Sequence, residues 1–145
     1  MLNEYPQFEQ IRKDIEAFVV ENVKSKWNLV SFKNLKFVKD INPGSLGSIE
    51  PLDDDSFNIR LEPNNIEKKT SKFDVDFEKS LKCIGIHECF HFIFPELDQT
   101  NAFKIKDKMG DKNEYLRIES LTWDYVSEYF PEFKEVVDKL RRVYS

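Results

Sequence analysis

Apolar residues in the first part of the chain recur every three or four positions, which is the periodicity of an amphipathic helix. Over residues 7–24 these positions are Phe8, Ile11, Ile15, Phe18, Val19 and Val23. The pattern predicts a helix over residues 7–24 with one apolar face turned toward a core.

Short apolar runs and alternation replace this periodicity between residues 27 and 62. Residues 27–32 and 35–38 are rich in β-branched and aromatic side chains, which favour strands. Residues 57–62 alternate between apolar and polar, as in a half-exposed strand, and Pro63 ends this stretch. The polar residues 63–72 predict a loop, and turns are expected over residues 53–56 and at Pro43, Gly44 and Gly47.

Helical patterns return in the second half of the chain. A largely apolar helix is expected from about residue 74, with Asp74 or Asp76 as N-cap, to Phe94, where Pro95 stops it. A polar loop through Gly110 follows, and then helices over residues 113–129 and 132–144. This order predicts one α+β domain over residues 1–145, with an N-terminal helix, a small twisted and mainly antiparallel sheet, and C-terminal helices.

The composition is that of a globular protein without a basic face. The 145 residues are 40% hydrophobic and 34% charged, with a net charge of −5, and the lysines are interleaved with acids. This balance argues against nucleic-acid binding. The N-terminus does not resemble a secretion signal, and no run approaches the roughly 20 apolar residues of a membrane span.

Cysteine usage adds an expectation about location. Cys83 and Cys89 lie six positions apart on one predicted helix, which separates their Cα atoms by about 9 Å. That distance is too long for a disulfide. We therefore expect reduced thiols in a cytoplasmic protein that contacts neither a membrane nor nucleic acid.

Residues 87–91 read His-Glu-Cys-Phe-His, the HExxH pattern, and contain both histidines of the chain. Positions i and i+4 of a helix share one face, so His87 and His91 can bind one divalent ion, which we expect to be zinc. Glu88 lies about 100° further round the helix, where it can act on a water molecule as catalytic base. The alternative is a pair of satisfied core histidines with Glu88 paired to a lysine.

A catalytic zinc site needs a third protein ligand, and both histidines are already used. Both cysteines lie on the predicted helix that carries the motif, so an acid from elsewhere is needed. In the predicted helix 113–129, Glu119 falls inside the apolar arc, Glu114 lies at its edge, and Asp124 faces solvent. Glu119 is therefore the first candidate for the third ligand and Glu114 the second.

The motif and its uncharged neighbours, Ile-Gly-Ile-His-Glu-Cys-Phe-His-Phe-Ile over residues 84–93, resemble those of the zincin metallopeptidases. With Glu119 as third ligand the chain is similar to the gluzincin branch. The resemblance implies a small zincin-like domain in which a twisted sheet covers the motif helix. It also implies that an edge strand, expected at residues 56–62, pairs with an extended peptide across the metal.

The expected function is hydrolysis of peptide bonds in a peptide or protein substrate. Zinc held by His87, His91 and Glu119 lowers the pKa of its water toward about 7, and Glu88 carries the proton to the leaving amine. A tyrosine that stabilises the oxyanion, or instead packs in the core, is expected among Tyr115, Tyr125 and Tyr129. Two alternatives stay open: a protein of the same fold that binds metal without proteolysis, and an enzyme kept latent by residues 1–6 or 98–112. The sequence leaves substrate specificity and oligomeric state open.

Overall fold

The computed structural model describes residues 4–39, 47–99 and 111–144, which form an α+β fold as the sequence predicts. The strands are β1 (Phe32–Phe37), β2 (Gly47–Pro51) and β3 (Phe57–Leu61). The α-helices are α1 (Glu9–Val19), α2 (Ser25–Trp27), α3 (Pro63–Ser71), α4 (Phe77–Ile93), α5 (Asp111–Tyr129) and α6 (Lys134–Tyr144). Short 3₁₀ turns occur at Pro6–Phe8, Pro95–Leu97 and Pro131–Phe133.

The predicted N-terminal helix is confirmed and extends further than its apolar pattern. α1 continues through a π-helical stretch, Val20–Lys24, into α2. Asn28 then ends the helical segment in the left-handed conformation, with φ of 53°, which asparagine tolerates better than most residues. The predicted strand over residues 27–32 is therefore wrong for most of its length, and a single strand, β1, covers residues 32–37.

The sheet is mixed, with the strand order β1-β3-β2. β1 runs parallel to β3 and β2 runs antiparallel to it, so the prediction of a mainly antiparallel sheet describes only one of the two pairings. The expectation that residues 56–62 form an edge strand is wrong, because β3 pairs on both sides. An alternating pattern indicates which face of a strand is buried and carries no information on its place in the sheet. The edge strand beside the motif helix is β2.

The prediction that β3 has an exposed face is also wrong. Asn58 is only 4% exposed, because its side chain accepts a hydrogen bond from the Asn34 N–H at 3.0 Å and donates one to Glu50 at 2.7 Å. Lys36 reaches the same Glu50 carboxylate at 2.9 Å. The alternating sequence pattern assigns Asn58 to the solvent side of the strand. In the structure, polar residues of the two neighbouring strands cover it.

The sequence predicts a loop over residues 63–72, but Pro63–Ser71 form helix α3. The Glu62 carboxylate caps it by accepting from the Asn64 N–H at 3.0 Å, and Pro63 occupies the first turn, where its missing N–H costs nothing. Only Ile66 and Thr70 among its non-proline residues are buried, and the Thr70 hydroxyl donates to the Ile66 carbonyl. A helix with so few buried apolar residues shows little hydrophobic periodicity in its sequence, which explains why the sequence predicts a loop here.

Helix α4, which carries the HExxH motif, lies at the centre of the molecule. Of the two predicted N-caps, Asp76 fills the role by accepting a hydrogen bond from the Lys79 N–H at 2.8 Å. The helix ends at Ile93, one residue before the predicted Phe94 and shortly before Pro95. α4 contacts β2 and β3 as well as α1, α3, α5 and α6. At Gly85 a Cβ would lie 3.1 Å from the Val19 side chain, so glycine permits the close approach of α1.

A second group of polar side chains, the Arg12 cluster, lies between α1 and β1 and comprises Glu9, Arg12, Glu16 and the backbone of Leu35. Arg12 is 4% exposed and contacts Glu9 at 2.7 Å and Glu16 at 3.5 Å. It also donates to the Leu35 carbonyl at 3.0 Å, while the Leu35 N–H donates to Glu16 at 2.7 Å. The cluster fixes α1 against the edge of the sheet.

The remaining predictions have mixed outcomes. The two C-terminal helices are confirmed as α5 and α6, and the turn before β3 is confirmed, with Asp55 at φ of 64°. Cys83 and Cys89 are buried in α4 as free thiols. Among the described residues, no helix is both long and apolar enough to cross a bilayer. Pro43, Gly44 and residues 100–110 lie outside the described residues.

Candidate metal centre

Three side chains predicted as metal ligands, His87, His91 and Glu119, come together in the structure; we call this group the metal centre. His87 Nε2 lies 2.7 Å from Glu119 Oε2, and His91 Nε2 lies 3.3 Å from Glu119 Oε1. Taking one ligand atom from each residue, all three atoms lie within 4.8 Å of one another. The group can therefore hold one metal ion.

The helices explain this convergence. His87 and His91 are one turn apart on α4, and their ring centroids are 4.9 Å apart. Glu119 comes from α5, which packs against α4. Glu114, the second candidate, forms an ion pair with Arg117 at 2.6 Å, and its side chain is 44% exposed. The structure thus brings Glu119 to the histidines and leaves Glu114 on the surface of α5.

Contacts around the ligands set their orientation, and the sequence reasoning missed them. His91 Nδ1 lies 2.8 Å from the Leu97 carbonyl oxygen, so the ring donates there and turns Nε2 toward Glu119. The Gln99 amide donates to Glu119 Oε1 at 2.7 Å. The His87 ring packs against Trp123, with centroids 4.1 Å apart. No sequence pattern identifies a backbone carbonyl as the partner of a histidine.

Two buried nitrogen atoms of the metal centre lack a hydrogen-bond partner among the described residues. They are His87 Nδ1 and His91 Nε2. Leaving such atoms unpaired is costly. His91 Nε2 lies 3.3 Å from Glu119 Oε1, outside hydrogen-bond geometry, so its lone pair is available to a metal ion.

The charges in the metal centre depend on one another. Burial acts to raise the pKa of Glu119, but its contacts with His87 and His91 outweigh that effect and hold the pKa well below its ordinary range. Burial acts to lower the pKa of His91, but the nearby carboxylates of Glu119 and Glu88 prevail and raise it. The Glu119 carboxylate is therefore ionised and available to a cation.

The donor set fits zinc. Two imidazoles and one carboxylate, with one position left for water, make up a common catalytic zinc site. Ligands bonded to a tetrahedral zinc at about 2.0–2.1 Å lie about 3.3 Å from one another. The separation between His91 Nε2 and Glu119 Oε1 is 3.3 Å. The separation between His87 Nε2 and Glu119 Oε2 is shorter, 2.7 Å, because these two atoms share a hydrogen bond.

A cleft of about 530 Å³ opens beside the metal centre. Strand β2 contributes one side through Gly47, Ser48, Ile49 and Pro51, and α4 contributes Glu88, His91 and Phe92. The remaining lining residues are Asp98, Gln99, Tyr115 and Glu119. Of the three tyrosines considered as oxyanion donors, Tyr115 is the one in this lining. Tyr125 and Tyr129 instead pack on Phe94, with ring centroids 4.9 and 5.3 Å away.

Glu88, the predicted base, shares the cleft with His91 and Glu119. Burial raises the pKa of its carboxyl group, and the opposing effects of His87 and His91 are smaller. Among the described residues Glu88 forms no ion pair with a lysine, and Lys82 instead lies over the Phe18 ring at 4.9 Å. The arrangement does not match the alternative in which a lysine neutralises Glu88.

Comparisons with known proteins add no assignment. No protein-family model matches the chain, and neither the curated proteins nor the solved structures compared with it show significant similarity. The functional argument therefore depends on the geometry of these residues.

Proposed function

We propose that this chain is a zinc-dependent peptidase of the zincin type, with His87, His91 and Glu119 as metal ligands and Glu88 as general base. One observation carries the proposal: ligands from two helices converge beside a cleft that also contains Glu88 and an edge strand. A metal that serves only to stabilise the fold needs neither the cleft nor the additional carboxylate.

The chemistry divides between the ion and the chain. When bound, zinc polarises the scissile carbonyl group and lowers the pKa of a water molecule toward about 7. Glu88 takes the proton from the attacking water on a carboxylate oxygen and delivers it to the leaving amine nitrogen. A raised pKa suits this role, because the group must both accept and release a proton near neutral pH.

Tyr115 is the candidate for stabilising the oxyanion. Burial, reinforced by the charges of Glu119 and Glu88, raises the pKa of its hydroxyl to about 12. The hydroxyl therefore stays protonated and can donate a hydrogen bond to the oxygen on which negative charge develops. The place of Tyr115 in the cleft lining supports this role.

The edge strand supports a peptide as the substrate. The Leu52 N–H donates to the Ser56 carbonyl, so these two residues form a hydrogen-bonded pair of the β2–β3 hairpin. Hydrogen-bonded and non-hydrogen-bonded pairs alternate along an antiparallel ladder, which places Ile49, opposite Ile59, in a non-hydrogen-bonded pair. The N–H of Ile49 therefore points away from β3, where an extended substrate can pair with it. The described cleft residues include three carboxylates and no lysine or arginine, and a zinc ion offsets only two of those charges. The cleft thus disfavours acidic substrates.

Substituting Glu88→Gln tests the proposal most directly. We expect the variant to retain zinc and to lose at least about 100-fold in turnover, because glutamine cannot accept the proton. Cleavage of a mixture of unstructured peptides is followed by mass spectrometry, and bound zinc by elemental analysis. Glu78→Gln, the same change at an exposed position of α4, is the control and should cleave normally.

Two results would refute the proposal. In the first, zinc-loaded wild-type protein leaves every peptide intact. In the second, Glu88→Gln cleaves as fast as wild type. The first favours the alternative of a metal-binding protein without proteolytic activity. That alternative has weaker structural support, because the ligand group formed by the described residues has three members, whereas structural zinc sites use four protein ligands.

A further inference from the structure

Residues 95–99, directly after the motif helix, contact metal ligands from two helices. The 3₁₀ turn Pro95–Leu97 reverses the chain so that the Leu97 carbonyl meets His91 of α4. Two residues later, Gln99 reaches Glu119 of α5 at 2.7 Å. A segment of five residues thus links the ligands of α4 to the ligand of α5.

The contact between Gln99 and Glu119 has one chemically reasonable orientation. An ionised carboxylate only accepts hydrogen bonds, so the Gln99 amide must present Nε2. Glu119 Oε1 takes that bond while Oε2 faces His87. The two contacts hold the carboxylate from both ends, whereas a free glutamate side chain explores many rotamers.

A neutral amide suits this position better than a cation. A lysine or arginine would also donate to Glu119, but its positive charge would compete with a metal ion for the carboxylate. The described residues that line the cleft include neither. Gln99 therefore orients Glu119 and leaves its full negative charge to the ion.

We propose that Gln99 is a positioning residue, which holds the Glu119 carboxylate in place for the metal ion and thereby raises metal affinity. The inference rests on the metal centre proposed above and adds to it a residue outside the ligand set. Substituting Gln99→Met tests it, because methionine keeps the length of the side chain and removes the hydrogen-bond donor. We expect zinc affinity to fall by about 10–100-fold, the usual effect of losing such a partner.

The control is Gln10→Met. Gln10 also donates to a carboxylate, that of Asp14 at 2.9 Å, but it lies exposed on α1 and outside the cleft. This variant should bind zinc like wild type. Circular dichroism of the metal-free proteins checks that each variant is folded. Visible absorption of the cobalt-loaded proteins reports ligand geometry, and we expect the bands to shift in Gln99→Met and to stay unchanged in Gln10→Met.

A second variant, Gln99→Lys, tests the argument from charge. It keeps a donor but adds a positive charge, so we expect it to bind zinc more weakly than Gln99→Met does. Affinities of Gln99→Met within about twofold of wild type, with an unchanged cobalt spectrum, would overturn the role of Gln99 and leave the metal centre standing. If wild-type protein binds neither zinc nor cobalt, the metal centre fails and the role of Gln99 fails with it.

Discussion

The Arg12 cluster and the metal centre both group charged side chains around a buried residue, Arg12 or His87, but their hydrogen bonding differs. In the Arg12 cluster, Arg12 donates to two carboxylates and to the Leu35 carbonyl. The Leu35 N–H in turn donates a hydrogen bond to Glu16. In the metal centre, one nitrogen of each histidine has no hydrogen-bond partner among the described residues. The charged groups of the Arg12 cluster thus have hydrogen-bond partners, whereas the metal centre contains nitrogen atoms without one.

The difference is the one expected between a cluster that fixes the fold and a candidate metal site. Charged groups whose hydrogen bonds are all made fix two elements together and leave no coordination site. A free lone pair on His91 Nε2, facing an ionised carboxylate beside an open cleft, is an arrangement that a cation can use. Burial and perturbed pKa values alone do not distinguish the two clusters, because the pKa of Arg12 is also shifted, chiefly by its hydrogen bond with Glu9. An unpaired ligand atom, His91 Nε2, does distinguish them.

Removing the third ligand should have the largest effect. We expect Glu119→Ala to weaken zinc binding by more than the about 100-fold that marks the upper range for an outer partner, because a direct bond is lost. Competition with a coloured chelator measures the affinity. Glu114→Ala, on the same helix, should bind zinc like wild type. Equal losses in the two variants would show that helix α5 contributes no specific ligand.

Adding the metal should stabilise the metal centre and leave the Arg12 cluster as it is. At a free zinc concentration about 100-fold above the dissociation constant, we expect the free energy of unfolding to rise by about 2.7 kcal/mol. Urea unfolding with and without zinc measures this gain. Glu119→Ala should show almost none of it, and a full gain in that variant would mean that zinc binds elsewhere.

Breaking the Arg12 cluster should lower stability without affecting metal binding. Arg12→Met removes the guanidinium from Glu9, Glu16 and the Leu35 carbonyl. We expect a loss of about 2 kcal/mol in the free energy of unfolding, since the partner carboxylates are partly exposed. Urea unfolding measures the loss, and zinc affinity should stay at the wild-type value. Arg117→Met, which breaks an exposed ion pair, is the control and should cause no measurable change.

The sequence predicted the parts of this molecule that depend on local pattern. Helix α4 has a capping aspartate, a continuous apolar run and a terminating proline, and all three signals act within one segment. The phase of α5 then selected Glu119 over Glu114, because a helix of known period assigns each residue to a face. Together these local rules named the three residues, His87, His91 and Glu119, that the structure brings together.

The features that were missed depend on contacts between distant segments. Strand order follows from how β1 joins the β2–β3 hairpin, which no alternation of residues encodes. Asn58 is buried only because polar neighbours on β1 and β2 cover it. Gln99 has no distinguishing neighbours in the sequence, and its role becomes visible only when α5 lies beside residues 95–99.

Strand β2 ends at Pro51, and this feature has a consequence for association between copies of the chain. An edge strand that receives a substrate can also receive the same strand of another molecule, which is the first step toward aggregation. Proline has no N–H to donate, so a ladder added along β2 cannot continue past Pro51. A five-residue strand that ends in proline has room to pair with a short peptide and gives poor support to the long ladders of a fibril.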